Sequence, residues 1–272
     1  MRLKNIKEYV AGRKEELKGR IADLECEPKL AIIQVGENNA SNRYVRNKIK
    51  DCEEVGIIAD AYYFFDTISE EDFIKELKDL QGFYDGVIVQ LPLPSHIRPG
   101  EAVNAIDKEK DVDGFRADSP FAPATPKGIM DYLAANEFNV DGKLVVIIGR
   151  SDIVGKPLAK MMTDANATVA LCHSHTTVAD LNILTMCADL VVSAVGKAEF
   201  LDCIGIGCPV IDVGINFNEN GKLVGDCYNT KGREDITPVP GGVGLLTRVA
   251  LLENVVNAAE GKKIKEELRD VE

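Results

Sequence analysis

The stretch KLVVIIGRSDIVGKPLAKMM, residues 143–162, decides the fold. An apolar run, a glycine turn and a fresh helical period predict a strand, a tight connection and a helix start whose free backbone N–H groups suit a phosphate. Three more apolar runs come at regular intervals: ATVALCHSHT (167–176), DLVVSAVG (189–196) and PVIDVGIN (209–216). Strands spaced by helical segments imply a parallel sheet, here half of a doubly wound, Rossmann-like domain. Gly149 and Gly155 frame the turn, but GxGxxG is absent, so the turn taken alone also fits an ordinary α/β connection.

The residues just after the second of these strands bear on the cofactor. Domains that prefer NAD usually carry Asp or Glu there, about 20 residues after the glycine turn, to accept the ribose hydroxyls. This chain has His173, Ser174, His175 and Thr176. Arg150, next to Gly149, offers a guanidinium to a 2′-phosphate, a charge-assisted contact worth about 1.5–3 kcal/mol. NADP is therefore the expected cofactor.

Upstream the same alternation recurs. KLAIIQVG (29–36), AYYFF (61–65) and DGVIVQ (85–90) read as strands, and SEEDFIKELKDLQ (69–81) as a helix. Between the first two strands, SNRYVRNK (41–48) places Ser41, Tyr44 and Lys48 at i, i+3 and i+7, on one helix face, with Asn39 or Ser41 as the cap. Val45, Ile49, Cys52 and Val55 make a separate apolar stripe, so the helix can bury one side and present the polar trio on another. The same spacing also fits a solvated helix face. A lysine acting as base near neutral pH needs its pKa lowered by roughly three units, about 4 kcal/mol, hence a pocket with little water.

Ligands of open parallel sheets collect at the carboxyl ends of the strands, where Gln90 stands. Pro92 and Pro94 in QLPLP end that strand and wall off Gln90. KDVDGF (110–115) spaces Asp111 and Asp113 two apart; extended backbone would point both carboxylates at the donor edge of a heterocycle, whereas an Asp-Gly turn would leave them solvated. ATPKGIMDYLAANEF (124–138), with Thr125 as N-cap and Pro126 at the first helical position, reads as a helix bridging two domains. In ITPVPGGVGLLTRVALLENVVNAAEG (236–261), Gly241, Gly242 and Gly244 permit close approach to a ligand, and Leu245, Val249, Leu252 and Val256 form a stripe expected to pack back on the N-terminal domain.

Composition narrows the class. Lys plus Arg total 32 against 44 Asp plus Glu among 272 residues, and the net charge of -12 excludes duplex nucleic acid or an anionic membrane as the main partner. The N-terminal segment is an amphipathic helix with Leu3, Ile6, Val10, Leu17, Ile21 and Leu24 inward, unlike a signal peptide, and no run of 18 apolar residues occurs. The seven cysteines, an odd number scattered through apolar stretches, read as reduced core thiols of a cytoplasmic protein. Cys172, His173 and His175, with Cys203 or Cys208, lack metal-ligand spacing, and no metal is expected.

Taken in order, YVRNK, GVIVQLPLP, KDVDGF, TPKGI, GRSDIVGKP and TPVPGGVG resemble the motifs of the bifunctional methylenetetrahydrofolate dehydrogenase/methenyltetrahydrofolate cyclohydrolases over nearly the whole chain. The resemblance implies a two-domain α/β enzyme: residues 1–135, completed by a C-terminal helix over 248–272, bind the folate, residues 136–247 bind NADP, and a cleft lies between. It implies oxidation of 5,10-methylenetetrahydrofolate, hydrolysis of the methenyl product to 10-formyltetrahydrofolate, and a place in one-carbon metabolism and purine biosynthesis. In that family Lys48 matches the essential lysine, Gln90 its partner, Tyr44 the aromatic that stacks on the folate and Asp113 the carboxylate that grips the pterin. Ser41, Pro240 and Gly241 join them as substrate positions. Gly149, Arg150, Ser151, Ser174, Ala194, Gly196, Ile215, Gly244 and Thr247 match NADP contacts, and homodimers joined through the cofactor domains are implied. The chain departs from the family in Ala124 for a frequent Cys, Leu245 and Leu246 for Pro-Met, and His175 for Lys or Arg. The alternatives are a dehydrogenase without hydrolysis and a dinucleotide-binding protein without turnover.

Overall fold

Two parallel sheets carry the chain, and both place their first strand between the second and the third. The computed structural model describes residues 3–202, 204–205, 207–228 and 230–269. The first half runs α1 (Ile6–Ala22), β1 (Lys29–Val35), α2 (Asn39–Val55), β2 (Ile58–Phe64), α3 (Glu70–Leu80), β3 (Gly86–Val89) and α4 (Pro99–Asn104). The second runs α5 (Ala124–Ala135), β4 (Leu144–Ile148), α6 (Gly155–Asp164), β5 (Thr168–Cys172), α7 (Val178–Cys187), β6 (Leu190–Ser193), β7 (Val210–Asp212) and α8 (Val243–Arg269). The strand orders are β2-β1-β3 and β5-β4-β6-β7. In each sheet the order reverses beside the first strand, and the carboxyl end of that strand is where open parallel sheets place their ligand crevice.

Continuous apolar runs make these central strands. In β1 every residue after Lys29 is buried, so both faces of the strand are covered, as a parallel sheet requires. Phe73 and Leu77 of α3 pack with Ile33, Val35, Val87 and Val89, each such side chain contributing about 1.5–3 kcal/mol on burial. α3 itself starts where its sequence says: Ser69 Oγ accepts from Asp72 N (3.1 Å), and Glu70, Glu71 and Asp72 fill the first turn. In the second sheet Val146, Ile148, Val191 and Val210 form the equivalent core.

By its contacts the chain divides into one compact unit of residues 12–124 with 248–272 and another of 1–11 with 125–247. Residues 125–135, assigned from sequence to the first domain, and residues 1–11 thus pack with the second sheet. Tyr132 explains part of this, being fully buried, edge-on to Tyr9 at 5.5 Å and donating through its hydroxyl to Lys4 O.

Several local expectations change. α2 is capped by Asn38, whose Oδ1 accepts from Ser41 N (3.1 Å), while Ser41 lies buried inside the helix. α5 begins at Ala124, one residue before the expected cap, and the Thr125 hydroxyl bonds Thr247 Oγ1 (2.9 Å) instead. In α8 the buried residues of the first turns are Val243 and Leu246, not Leu245; the Leu246 backbone meets Gly128, where a Cβ would fall 2.6 Å from Leu246 O. Further along, Asn254 Nδ2 donates to Val112 O (2.9 Å) and Ala122 O (3.1 Å), which seats the helix on the first unit as expected. Cys26 and Cys187 are exposed rather than core thiols, and Cys203 lies outside the described residues.

A buried ion cluster ties α1, α2 and α8 within the first unit. Asp51, 5% exposed, meets Lys14 Nζ at 2.7 Å and Arg248 Nη1 at 2.8 Å. Removing the carboxylate takes the partner from Arg248 and leaves Lys14 only its second one, Glu54 (2.7 Å), so Asp51→Ala is expected to lower unfolding free energy by about 3 kcal/mol in urea titration. A change below about 0.5 kcal/mol would mean that water already screens the cluster.

Candidate active site

The first sheet brings α2 and the end of β3 together at its crevice. Gln90 N still donates to Ile33 O (2.8 Å), so the residue extends the ladder with β1 and its side chain leaves at a fixed point. Lys48 Nζ donates to Gln90 Oε1 (3.3 Å), while Gln90 Nε2 donates to Leu91 O (2.8 Å). The amide is thereby oriented with its acceptor toward the amine. Tyr44, one turn before Lys48, is 40% exposed. Cys52, one turn after, is buried, and loss of solvent pushes its thiol up to about 12, so it stays protonated and inert.

KDVDGF forms a turn rather than an extended segment: Gly114 N donates to Asp111 O (3.0 Å), and Gly114 adopts φ 70°. The two acids therefore part company. Asp111 turns inward and accepts from Arg116 N (2.8 Å); burial raises its pKa above the ordinary carboxylate value, against the pull of the Arg116 and Phe115 N–H groups. Asp113 is only 8% exposed, yet its carboxylate makes no hydrogen bond to any described residue. A nearly buried acceptor without a protein partner is suited to a ligand's donors. Asn254, not singled out from the sequence, holds this turn through Val112 O and Ala122 O. A polar residue between the apolar pairs Leu251-Leu252 and Val255-Val256 was its only signal.

At the rim of the second sheet the carboxyl ends of β4, β5 and β6, with the loop after β7, carry Gly149 to Ser151, Ser174, Ala194 to Gly196, and Ile215 respectively. Gly149 (φ 116°) leaves no room for a side chain, since a Cβ would sit 2.3 Å from Ala194 O; one on Gly155 would sit 1.9 Å from Gly149 O. These two glycines let β4, β6 and α6 close on one another. Ser151 Oγ accepts from Val154 N (3.2 Å) and more weakly from Gly155 N (3.4 Å), and the backbone N–H groups of residues 150–153 bond no described residue. They and the exposed Arg150 fit an anion. After β5, His175 N donates to His173 Nδ1 (3.2 Å), and no carboxylate takes the place of a ribose acceptor.

Pro240 and Gly241 belong to the second unit, so the contacts of the first unit do not join them to Lys48. Gly241 takes φ 95°, and Gly242 passes so close to Pro238 O that a Cβ would lie 2.2 Å away. Gly244 and Thr247 open α8, where Thr247 Oγ1 also donates to Val243 O (3.1 Å). Among the described residues no group of three or more His, Cys, Asp or Glu side chains is arranged to hold a metal ion. The residues missed altogether from sequence are Asp212 and Asp226, which are buried beneath the rim and bonded to its turns. The pairs Asp212-x-Gly214 and Gly225-Asp226 were the available signal.

Two family matches cover most of the chain. The tetrahydrofolate dehydrogenase/cyclohydrolase catalytic domain matches residues 4–113, and the NAD(P)-binding domain of the same family matches residues 123–263. The bifunctional protein FolD of Nitrosomonas europaea is 45% identical over 269 residues, covering 92% of this chain and 90% of its own. The crystal structure of the bifunctional FolD of Campylobacter jejuni superposes with a TM-score of 0.90 at 40% identity, covering 95% of this chain and 98% of that one. The Trypanosoma brucei enzyme, solved with NADP cofactor and an inhibitor, gives a TM-score of 0.88 at 29% identity, with 96% and 97% covered.

Proposed function

The chain belongs to the tetrahydrofolate dehydrogenase/cyclohydrolase family, and from that premise we propose that its first sheet holds the folate and its second the cofactor. It is a bifunctional enzyme of one-carbon metabolism. It oxidises 5,10-methylenetetrahydrofolate to the methenyl form with NADP and hydrolyses that form to 10-formyltetrahydrofolate.

The observation that carries the division of roles is the Lys48–Gln90 hydrogen bond at the first crevice. Lys48 is the group placed to take a proton from water attacking the methenyl carbon. Gln90 keeps Nζ in place, Tyr44 stacks on the folate, and Asp113 accepts from the pterin's N–H edge. Ser41 supports the same helix face, and Pro240 and Gly241 complete the substrate set. When bound, NADP supplies the hydride acceptor. Arg150, the 150–153 N–H groups and Ser151 hold its phosphates, while Ser174, Ala194, Gly196, Ile215, Gly244 and Thr247 line the remainder. Residues 12–124 with 248–272 are the folate unit in this reading and 1–11 with 125–247 the cofactor unit, in place of the 1–135 and 136–247 bounds expected from sequence.

Val178, Ile183 and Met186 leave the outer side of α7 apolar and exposed, which supports a homodimer through the cofactor domain. The free buried thiols Cys52, Cys172, Cys208 and Cys227 support a cytoplasmic site of action, with the formyl product serving purine biosynthesis. No helix among the described residues is long and apolar enough to cross a membrane.

The test is spectrophotometric, with purified protein and 5,10-methylenetetrahydrofolate plus NADP or NAD. Reduced nicotinamide is expected without lasting methenyl absorbance. Accumulating methenyl would point to a dehydrogenase lacking hydrolysis, and no reduction would point to a binding protein. In the same assay Arg150→Ala is expected to raise KM for NADP about tenfold more than KM for NAD, the loss of one charge-assisted contact. Equal changes would remove Arg150 from 2′-phosphate recognition.

A further inference from the structure

The turn after β6 is built around a carboxylate supplied from some 30 residues further along. Asp226 is fully buried, and its Oδ2 accepts from Ser193 Oγ (2.9 Å), Val195 N (2.8 Å) and Gly196 N (3.3 Å). Its Oδ1 accepts from Lys197 N (3.0 Å) and Asn216 Nδ2 (3.0 Å). Asp212 in turn holds Asp226 in place, accepting from Asp226 N (3.0 Å) and Gly214 N (2.9 Å) at Oδ1 and from Cys227 N (2.9 Å) at Oδ2. The two acids interlock over glycines: a Cβ on Gly214 would fall 2.2 Å from Asp226 Oδ1, and one on Gly225 would fall 2.0 Å from Asp212 Oδ2.

This arrangement reverses what a glycine turn at a sheet rim usually offers. Successive N–H groups in such a turn make a nest for an external anion. Here the N–H groups of residues 195–197 already hold an internal one, whereas the carbonyl oxygens of residues 194–197 accept from no described residue. The turn is left as an acceptor surface, suited to hydroxyl and amide donors and unsuited to phosphate. Val195, Gly196 and Lys197 are exposed, so that surface is open to a ligand.

We propose that Asp226 is a positioning residue for the dehydrogenase: by drawing the 195–197 N–H groups inward it makes the turn receive the ribose and carboxamide donors of the cofactor. Phosphate recognition is left to the 149–155 turn. The inference rests on the reading that this rim binds the cofactor, and it deepens that reading.

Asp226→Asn keeps the size but sets an amide N–H against the turn's own donors. Its expected effect is a rise of about tenfold in KM for both NADP and NAD, by the same factor, with hydrolysis of supplied methenyltetrahydrofolate at the wild-type rate. Asn216→Ala, which deletes one contact to the carboxylate, is expected to shift both constants the same way by a smaller factor, and it decides the matter should Asp226→Asn not fold. Ile215→Ala serves as the control on the rim itself. If Ile215→Ala raises KM while neither of the others does, the role of Asp226 is overturned and the site reading stands. If none of the three raises it, the rim reading falls as well. A rise for NADP alone would make Asp226 a phosphate determinant, and parallel loss of hydrolysis would make it a general structural residue; either result overturns the proposal.

Discussion

Lys48→Ala is expected to lower hydrolysis of supplied methenyltetrahydrofolate by about 10²- to 10⁴-fold, the usual worth of a positioned proton-transfer group. The loss is chemical rather than structural. Lys48 lies on the same side of α2 as Val45, Cys52 and Val55 but is only half-buried where they are buried, so its truncation removes no part of the apolar core itself. Its hydrogen-bond partner is Gln90 Oε1, whose own amide stays tied to Leu91 O without it. Lys48→Arg is expected to be inactive as well, because a guanidinium does not give up its proton in the working pH range. Unchanged circular dichroism with lost hydrolysis is the result that fits. Hydrolysis at the wild-type rate in Lys48→Ala would remove the lysine from the mechanism.

The second large effect is expected at Gly155. An alanine Cβ there would lie 1.9 Å from Gly149 O and 3.1 Å from Arg150 Cα, far inside van der Waals contact. The obstacle is backbone on one side and the start of α6 on the other, so no flexible side chain can swing away. Relief requires the glycine turn to move, at a cost of about 1–3 kcal/mol or more. That turn carries Arg150, Ser151 and the free N–H groups, so the strain falls on the cofactor. NADP-dependent oxidation is expected to drop about 100-fold in kcat/KM, equivalent to about 2.7 kcal/mol. Hydrolysis of supplied methenyltetrahydrofolate is expected to persist, since Lys48, Gln90 and Asp113 belong to the other compact unit. An unaltered KM for NADP would mean that the 149–155 turn does not touch the cofactor.

Much of this was legible in the sequence, for a physical reason. Strands buried on both faces must be continuous apolar runs, so β1, β4 and β6 announce themselves, and in parallel sheets function gathers where those runs end. Gln90, Gly149 and Arg150 stand at such strand ends, and Lys48 was singled out by its helical spacing with Tyr44. Edge elements were less clear: β2 starts at Ile58, three residues before the apolar run, because parallel pairing with Lys29 and the rest of β1 sets its register. The Asp111 and Asp113 pair could not be resolved either, since the choice between extended chain and turn depends on Arg116 N and Asn254, which no local pattern reveals. The Asp212 and Asp226 cage joins residues 14 apart through glycines on opposite segments; its glycines looked like ordinary turn residues. The grouping of residues 1–11 with the second sheet is likewise a matter of long-range contacts such as Tyr132 to Lys4.

That discontinuity sets an order of events during synthesis. The first unit needs residues 248–269 of α8, including Arg248 for Asp51 and Asn254 for the Asp113 turn, and these leave the ribosome after everything else the unit contains. The second unit has its parallel sheet complete by Asp212, while the first still lacks its final helix. Domains of many proteins mature from the amino end onward. In this chain the unit proposed to hold the folate is finished last, and Lys48, proposed to serve hydrolysis, lies in a unit that waits for its final helix.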